Sequence, residues 1–486
     1  MNPADLSNYF YAYAPATILV VGAIVVLFSN AFASFFSRGA SLSLSMIFLA
    51  ASLPFCLSAG HRLATPFSGL VAEIVILVAS FFFIFLTFSK HSYSEFQTPE
   101  FYPLYLFSAS GFMFMSAADN LILVLLGLEI GSLPLATLIA FNNRISGIEA
   151  GLKYFISGAL ASIFFIFGIL LFYLYSGSFE ISSALSLYLD PSRETSVFQH
   201  LILFGGVSFI LAGLGFKVSL VPWHTWMADV YEASNPVLAG YISVVPKIAG
   251  FVVFFGIFGP IFSPKAMHSD FIRNLVWLLL VITMTVPNIA ALLQKDLKRM
   301  LAFSSISHSG FALACIYLGN FESLAIYWVL FLITNLGAFA LLWVYRPTSL
   351  DSKIQTRFDY ALEKFHGLGR DCPVGALLIA FFMLSLAGIP PFSIFWGKIF
   401  VVKLAVERGE IILALVMMIN SAVAVCYYLR PIVAMFFKPS KAGEVASLYT
   451  SNATASIKFV VGSCLLLSLG SVFVVYFVRS MLVVWS

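Results

Sequence analysis

The chain has 486 residues, 61% of them hydrophobic and only 10% charged, with a formal net charge of +4. So few charges cannot cover a water-soluble domain, and the small positive excess is scattered over loops, so nothing suggests a nucleic-acid face. Apolar runs of roughly 18 residues or more, the length at which a helix crosses a bilayer, recur from end to end. The fold class is therefore an all-α polytopic membrane protein with the lipid bilayer as its surroundings.

The first apolar run, residues 14–35, follows "MNPADLSNYFYAYAP", which has no basic residue and reads as a retained span, not a cleaved signal peptide. Further spans are predicted over 42–59, 68–88, 103–118, 119–140 and 150–175. Glu129 lies near the middle of the fifth of these, in "LILVLLGLEIGSLPLATLIA", which puts a carboxyl at mid-membrane. Lys153 stands near the start of the sixth and is close enough to its end to snorkel.

The seventh and eighth spans, 201–221 and 236–258, carry Lys217 and Lys247. Pro222 in "VSLVPWHTW" removes a helix donor and clashes with the preceding turn, so the seventh helix is expected to break just after Lys217, with His224 in the break. Spans follow at 274–293, 300–317 (with His308) and 325–345. The polar stretch 346–373 comes next, in which "DYALEKFHGLG" is predicted to form a short amphipathic interfacial helix. The run 374–407 is too long for one simple span and carries Pro390 and Pro391, so it too should break, with Lys398 just beyond. Spans at 410–436 and 457–481 bring the predicted total to fourteen.

An ionised lysine in hydrocarbon costs on the order of 2.5–3.5 kcal/mol on insertion scales. Lys217, Lys247 and Lys398 must then face the protein interior and serve a compensating role. Desolvation disfavours an ammonium and a nearby carboxylate favours it, so such a lysine can be switched between accepting and releasing a proton, as an arginine cannot. Taken singly, Glu129 could be half of a structural ion pair, and His224 and His308 could be core histidines. Taken together, one glutamate and three lysines at comparable depth, two of the lysines beside helix breaks, are the pattern of a proton carrier.

The basic loop residues divide fourteen to six between the two faces implied by fourteen spans. The positive-inside rule then puts both termini outside the cytoplasm. The five cysteines are far apart without a CxxC and read as packing residues, not as a disulfide framework or metal site. A complete GxGxxG, a Walker loop, HExxH and a nucleophile elbow are all missing, so no cofactor and no metal is expected on this chain.

The strings "LLGLEIGSLPL", "LGFKVSLVPWHTWMADVYEASNPV", "SVVPKIAGF", "LKRMLAFSSISHSGF" and "LSLAGIPPFSIFWGKIF" stand in an order and spacing that closely resembles the antiporter-like membrane subunits of respiratory complex I, and among them the N branch. The resemblance implies about fourteen transmembrane helices, with inverted five-helix repeats over 103–258 and 274–436, each containing a broken helix, preceded by N-terminal helices over 1–102 and followed by a C-terminal helix over 457–486. It implies a proton path through Glu129, Lys217, Lys247 and Lys398, with Lys153, His224 and His308 auxiliary. It also implies proton movement from cytoplasm to exterior in a bacterial inner membrane. The partners would be other membrane-arm subunits, both antiporter-like and small helical ones, and FMN, iron–sulfur clusters and quinone would lie in partner subunits. The chain departs from the family pattern at Ala228, where proline is usual, and in "EASNPV". An Mrp-type cation/proton antiporter subunit is the alternative.

Overall fold

The computed structural model describes residues 3–32, 37–88, 96, 98–141, 144–189, 196–262, 270–345, 360–439 and 454–485. Lipid supplies no partners for backbone N–H and C=O groups, so a spanning chain must satisfy them within its own segments, and the described residues are helical throughout. In chain order the helices are α1 Pro3–Phe32, α2 Arg38–Cys56, α3 Ala59–Ala64, α4 Phe67–Phe85, α5 Phe101–Ala117, α6 Leu121–Ala140, α7 Ile145–Ser176, α8 Ile181–Leu189, α9 Val197–Lys217 and α10 Trp226–Ala233. They continue with α11 Pro236–Phe258, α12 Asp270–Leu293, α13 Leu297–Tyr317, α14 Phe321–Val344, α15 Leu368–Asp371, α16 Pro373–Ala387, α17 Ser393–Glu407, α18 Ile411–Phe437, α19 Ala455–Leu469 and α20 Ser471–Trp485. Among the described residues eleven helices are long and apolar enough to cross a membrane, or twelve if α19 and α20 form one bent span.

Short polar residues set the helix starts. The Asn235 side chain accepts from Leu238 N and Pro236 occupies the first turn of α11, where its missing N–H costs nothing. Asn120, Asp296 and Asn320 cap α6, α13 and α14 in the same way, and Ser196 with Gln199 forms a reciprocal capping box on α9.

α11, α13 and α14 are almost wholly enclosed by the others and form the axis of the bundle. Peripheral helices turn apolar side chains outward: Leu152, Ile156, Leu160 and Ile163 of α7 are all more than half exposed, as a lipid-facing stripe would be. Interfaces between helices rest on small residues, which let backbones approach where lipid supplies no hydrophobic drive. A Cβ on Gly111 of α5 would lie 2.1 Å from Gly131 N of α6, and one on Gly168 of α7 would lie 2.7 Å from Ile210 N of α9.

Both predicted breaks are present. α9 stops at Lys217, and the chain passes through Ser219 (φ 60°) and a cis Val221–Pro222 bond before α10 begins. Val221 N, left without a helical partner, donates to Thr283 Oγ1 of α12 at 3.1 Å. The long run 374–407 divides into α16 and α17 around Gly388 (φ 83°) and a cis Pro390–Pro391 bond.

Elsewhere the sequence reading needs correction. The run 457–481 is not one straight helix: α19 and α20 meet at 83° across Gly470. α8 was not anticipated, because nine residues are too few to register as a span. Residues 346–359 of the predicted interfacial segment lie outside the described residues. The part that follows forms a 3-10 turn, Leu362–Phe365, and the single-turn α15, separated by Gly367 at φ 76°, and not one helix. Asp296 fixes this segment to the α12–α13 connection by accepting from Tyr360 N, while Leu362 N donates to Lys295 O.

Candidate functional site

Lys217 is the last residue of α9, so its side chain emerges where the helix leaves its carbonyls unpaired and its dipole favours a cation. It is buried, and its Nζ donates to Ser132 Oγ at 2.6 Å and Tyr154 OH at 2.7 Å, with the Phe112 ring 4.5 Å away. Glu129 is half-buried on the same helix as Ser132, one turn earlier, and its Oε1 accepts from Ser162 Oγ of α7. Glu129, Ser132, Tyr154 and Ser162 line one cavity of about 30 Å³, enough for a water. Glu129 and Lys217, both placed on the proton path by the resemblance, are therefore connected only indirectly. Hydroxyls occupy both partners, and among the described residues the two do not form an ion pair.

Lys247 sits in the middle of α11, directly after Pro246, and is fully buried. Among the described residues its ammonium meets no carboxylate. It donates to Ser305 O and Ser305 Oγ at 2.8 Å each and to Ser309 Oγ at 2.9 Å, all on α13. Tyr231 of α10 also donates to Ser305 Oγ, at 3.4 Å, so the half-helix beyond the first break touches the same hydroxyl. Toward Lys217, Gly250 lies one turn after Lys247, and a Cβ there would meet the Lys217 stem at 3.7 Å.

His308 is buried on α13 between the lysines and is within electrostatic reach of Lys247 and Lys398. Its Nδ1 is 2.6 Å from Tyr327 OH and its Nε2 is 3.5 Å from Tyr428 OH. Lys398, in the second turn of α17, reaches back across the second break to donate to Ala387 O at 2.9 Å, the terminal carbonyl of α16. Both breaks thus hold an ammonium at the carbonyl end of the half-helix that precedes them.

The other two predicted residues lie off this line. Lys153 is exposed and paired with Glu149 and Asp229, each at 2.7 Å. Asp229 in turn accepts from Arg299, which also bonds Glu232, so Lys153 belongs to an ion network tying α7, α10 and α13 together at one end of the bundle. Lys298, counted from sequence as a loop charge, is buried there and donates to Glu232 O and Ser234 O, the carbonyl end of α10. His224 is half-buried in the first break, with its Nδ1 unpartnered and no hydrogen bond to either neighbouring lysine among the described residues.

Sequence reasoning missed the neutral groups: Ser132, Tyr154 and Ser162 around Glu129 and Lys217, and Ser305 and Ser309 under Lys247. One signal was available. Ser132 follows Glu129 by three residues and so shares its helix face; the rest come from distant segments.

The arrangement is a set of buried amines, two held by hydroxyls and one by a main-chain carbonyl. Residues 118–424 match the family described as NADH:quinone oxidoreductase/Mrp antiporter, transmembrane. The NADH-quinone oxidoreductase subunit N of Helicobacter acinonychis is 46% identical over 478 residues, 96% of this chain and 95% of that protein. The chain belongs to the NADH-quinone oxidoreductase subunit N family. Among solved structures, a chain of the respiratory complex I from Thermus thermophilus is 28% identical, with a TM-score of 0.77 over 95% of this chain and 98% of its own length. A chain of the Mrp complex from Dietzia sp. DQ12-45-1b has the same fold at TM-score 0.77 and 17% identity, covering 96% of each chain. This subunit N family member is thus a multi-pass membrane protein from a family of complex I subunits, and its identity to subunit N relatives is well above its identity to the Mrp chain.

Proposed function

We propose that this subunit N family member translocates protons across the bacterial inner membrane, from cytoplasm to exterior, as part of the membrane arm of an NADH:quinone oxidoreductase. The observation that carries the reading is the set of three buried lysines, Lys217, Lys247 and Lys398, each held, among the described residues, by hydroxyl or carbonyl oxygens and not by a carboxylate. An amine held by neutral groups in a desolvated site can lose its proton without leaving a buried anion behind.

In this reading Glu129 is the controlling charge. When it is ionised and turned toward the cavity, it favours the ammonium of Lys217; when it is withdrawn, Lys217 releases its proton toward Lys247. His308 and the hydroxyls of α13 lie between Lys247 and Lys398, which delivers the proton to the exterior. Lys153 and His224 serve as auxiliary groups, Lys153 by anchoring the half-helix that begins at Trp226. Quinone reduction and the groups that carry it out, FMN, iron–sulfur clusters and quinone, belong to partner subunits, and this chain has no redox site. Its neighbours in the arm would be antiporter-like and small helical subunits.

Fourteen spans follow if α5, the α16–α17 pair and the α19–α20 pair each cross once in addition to the eleven long helices. In this reading, as the family resemblance implies, the helices over 103–258 and 274–436 are inverted repeats, and both termini face the exterior. The decisive experiment is Lys217→Ala in the assembled complex, with proton uptake measured in sealed inverted vesicles. Fewer protons moved per electron, with the complex intact, supports the proposal; unchanged pumping per electron overturns it. An Mrp-type role would show instead as cation/proton exchange by a preparation lacking the redox subunits.

A further inference from the structure

A second buried cluster lies away from the lysine file, among the N-terminal helices. Cys56 ends α2, His61 sits in the short α3 and Glu73 lies in the second turn of α4; all three are fully buried. Their ligand atoms, a thiol sulfur, an imidazole nitrogen and a carboxylate oxygen, lie within 4.8 Å of one another. The His61 Nδ1 is 2.8 Å from the main-chain oxygen of Tyr11 on α1. A carbonyl can only accept, so Nδ1 carries the hydrogen and the Nε2 lone pair points the other way. There it meets Glu73 Oε2 at 2.6 Å, a contact that needs one shared proton. The second carboxylate oxygen, Glu73 Oε1, is buried and has no hydrogen-bond partner among the described residues.

That orphaned oxygen is the informative feature, because an unsatisfied polar atom in a low-dielectric interior is costly. A hydrogen-bonded His–Glu pair alone would leave it unexplained. We propose that Cys56, His61 and Glu73 form a binding site for a zinc-like divalent cation, which fastens α2, α3 and α4 together beside α1. The donor set is sulfur, nitrogen and oxygen, which suits zinc and is too soft for magnesium or calcium. The Tyr11 carbonyl orients the imidazole from the far side, as the outer hydrogen bond of a metal-bound histidine does. Ligands at zinc distances stand roughly 3.3–3.8 Å apart in a tetrahedron, so closing the widest gap here takes a movement of about 1 Å. Binding releases two protons, one from the Cys56 thiol and the one shared by His61 and Glu73, and leaves a fourth position for water. The site departs from the expectation that this chain carries no metal and that Cys56 only packs, and it is independent of the proton-path reading.

The test uses the assembled complex, incubated with zinc and freed of loose metal by gel filtration. Zinc per complex would be counted for the wild type, Cys56→Ser and Glu73→Gln, and the zinc K-edge recorded. The expected result is about one zinc fewer in each variant, together with a sulfur shell at about 2.3 Å that is lost in Cys56→Ser. Equal zinc content in all three overturns the proposal and leaves a His–Glu pair that only locks the helices. If a variant fails to assemble, the wild type still decides: a zinc edge with no sulfur neighbour, or no retained zinc, overturns the site.

Discussion

At the scale of single residues, the acceptors explain more than the lysines do. Lys247 is fully buried and makes three hydrogen bonds, so replacing it with an apolar side chain of similar length removes a desolvated cation and leaves two serines that can bond their own helix carbonyls. Lys247→Met is therefore expected to assemble normally and to lower protons moved per electron; normal pumping with normal assembly would favour a purely structural lysine. Ser305→Ala removes one of the three partners and also the contact from Tyr231. A hydrogen bond to a charged group contributes about 1.5–3 kcal/mol, so turnover should fall by about tenfold or more if Ser305 relays the proton, and much less if it only holds the amine. The lysines were legible in the sequence because a charge inside a long apolar run stands out against its neighbours. Their hydroxyl partners were not: Tyr154 is 63 residues from Lys217, Ser305 is 58 from Lys247, and serine in a membrane helix is ordinary. Glu73 was overlooked for another reason, since its partner His61 lies beyond the end of the span that contains it.

At the scale of elements, the interruptions were legible and the bends without proline were not. Proline announces its effect locally, and both breaks fell where Pro222 and Pro390–Pro391 placed them. The ends of α11 coincide with the predicted 236–258, because Asn235–Pro236 is a strong helix start. The 83° turn at Gly470 has no proline, and it lies in an apolar run that continues on either side. Two substitutions test this level. Gly388 has φ 83°, and a Cβ on it would stand 2.9 Å from Lys398 Cδ. Gly388→Ala therefore adds backbone strain of about 1–2 kcal/mol and displaces the lysine; lower thermal stability accompanied by lower pumping is expected, whereas stability loss alone would separate the turn from proton movement. Gly111→Val places side-chain atoms inside the α6 backbone, and loss of the subunit from the membrane arm on native gels is the expected outcome. Full assembly would mean that α5 and α6 can part without consequence.

At the scale of the whole molecule, direction is the property that depends on every span at once. Arg408 follows α17 and Lys438 follows α18, both exposed, and the proposed topology puts them on opposite sides. In a Cys426→Ala background, Arg408→Cys should react with a membrane-impermeant maleimide on intact spheroplasts, and Lys438→Cys only after the membrane is opened. The reverse pattern would invert the proposed sense of transport. The ion network of Lys153, Asp229, Arg299 and Glu232 joins three helices that are far apart in sequence, and no count of charges along the chain reveals it. Asp229→Asn leaves Arg299 paired with Glu232 and Lys153 with Glu149, so a modest loss of stability is expected, not collapse.

The two interruptions also have a mechanical meaning. A continuous helix is stiff along its ladder of hydrogen bonds, and any change in its direction must break some of them. Where that ladder is interrupted, as between Lys217 and Trp226 or between Ala387 and Ser393, fewer such bonds stand in the way of a change of direction. Lys217 rides on the end of one such half-helix, and Lys398 reaches across the gap between two. A change of angle at either joint would alter the hydrogen bonds that Lys217 and Lys398 make there. The joints and the charges coincide, so a movement at either interruption would change the distance between a buried amine and its acceptor.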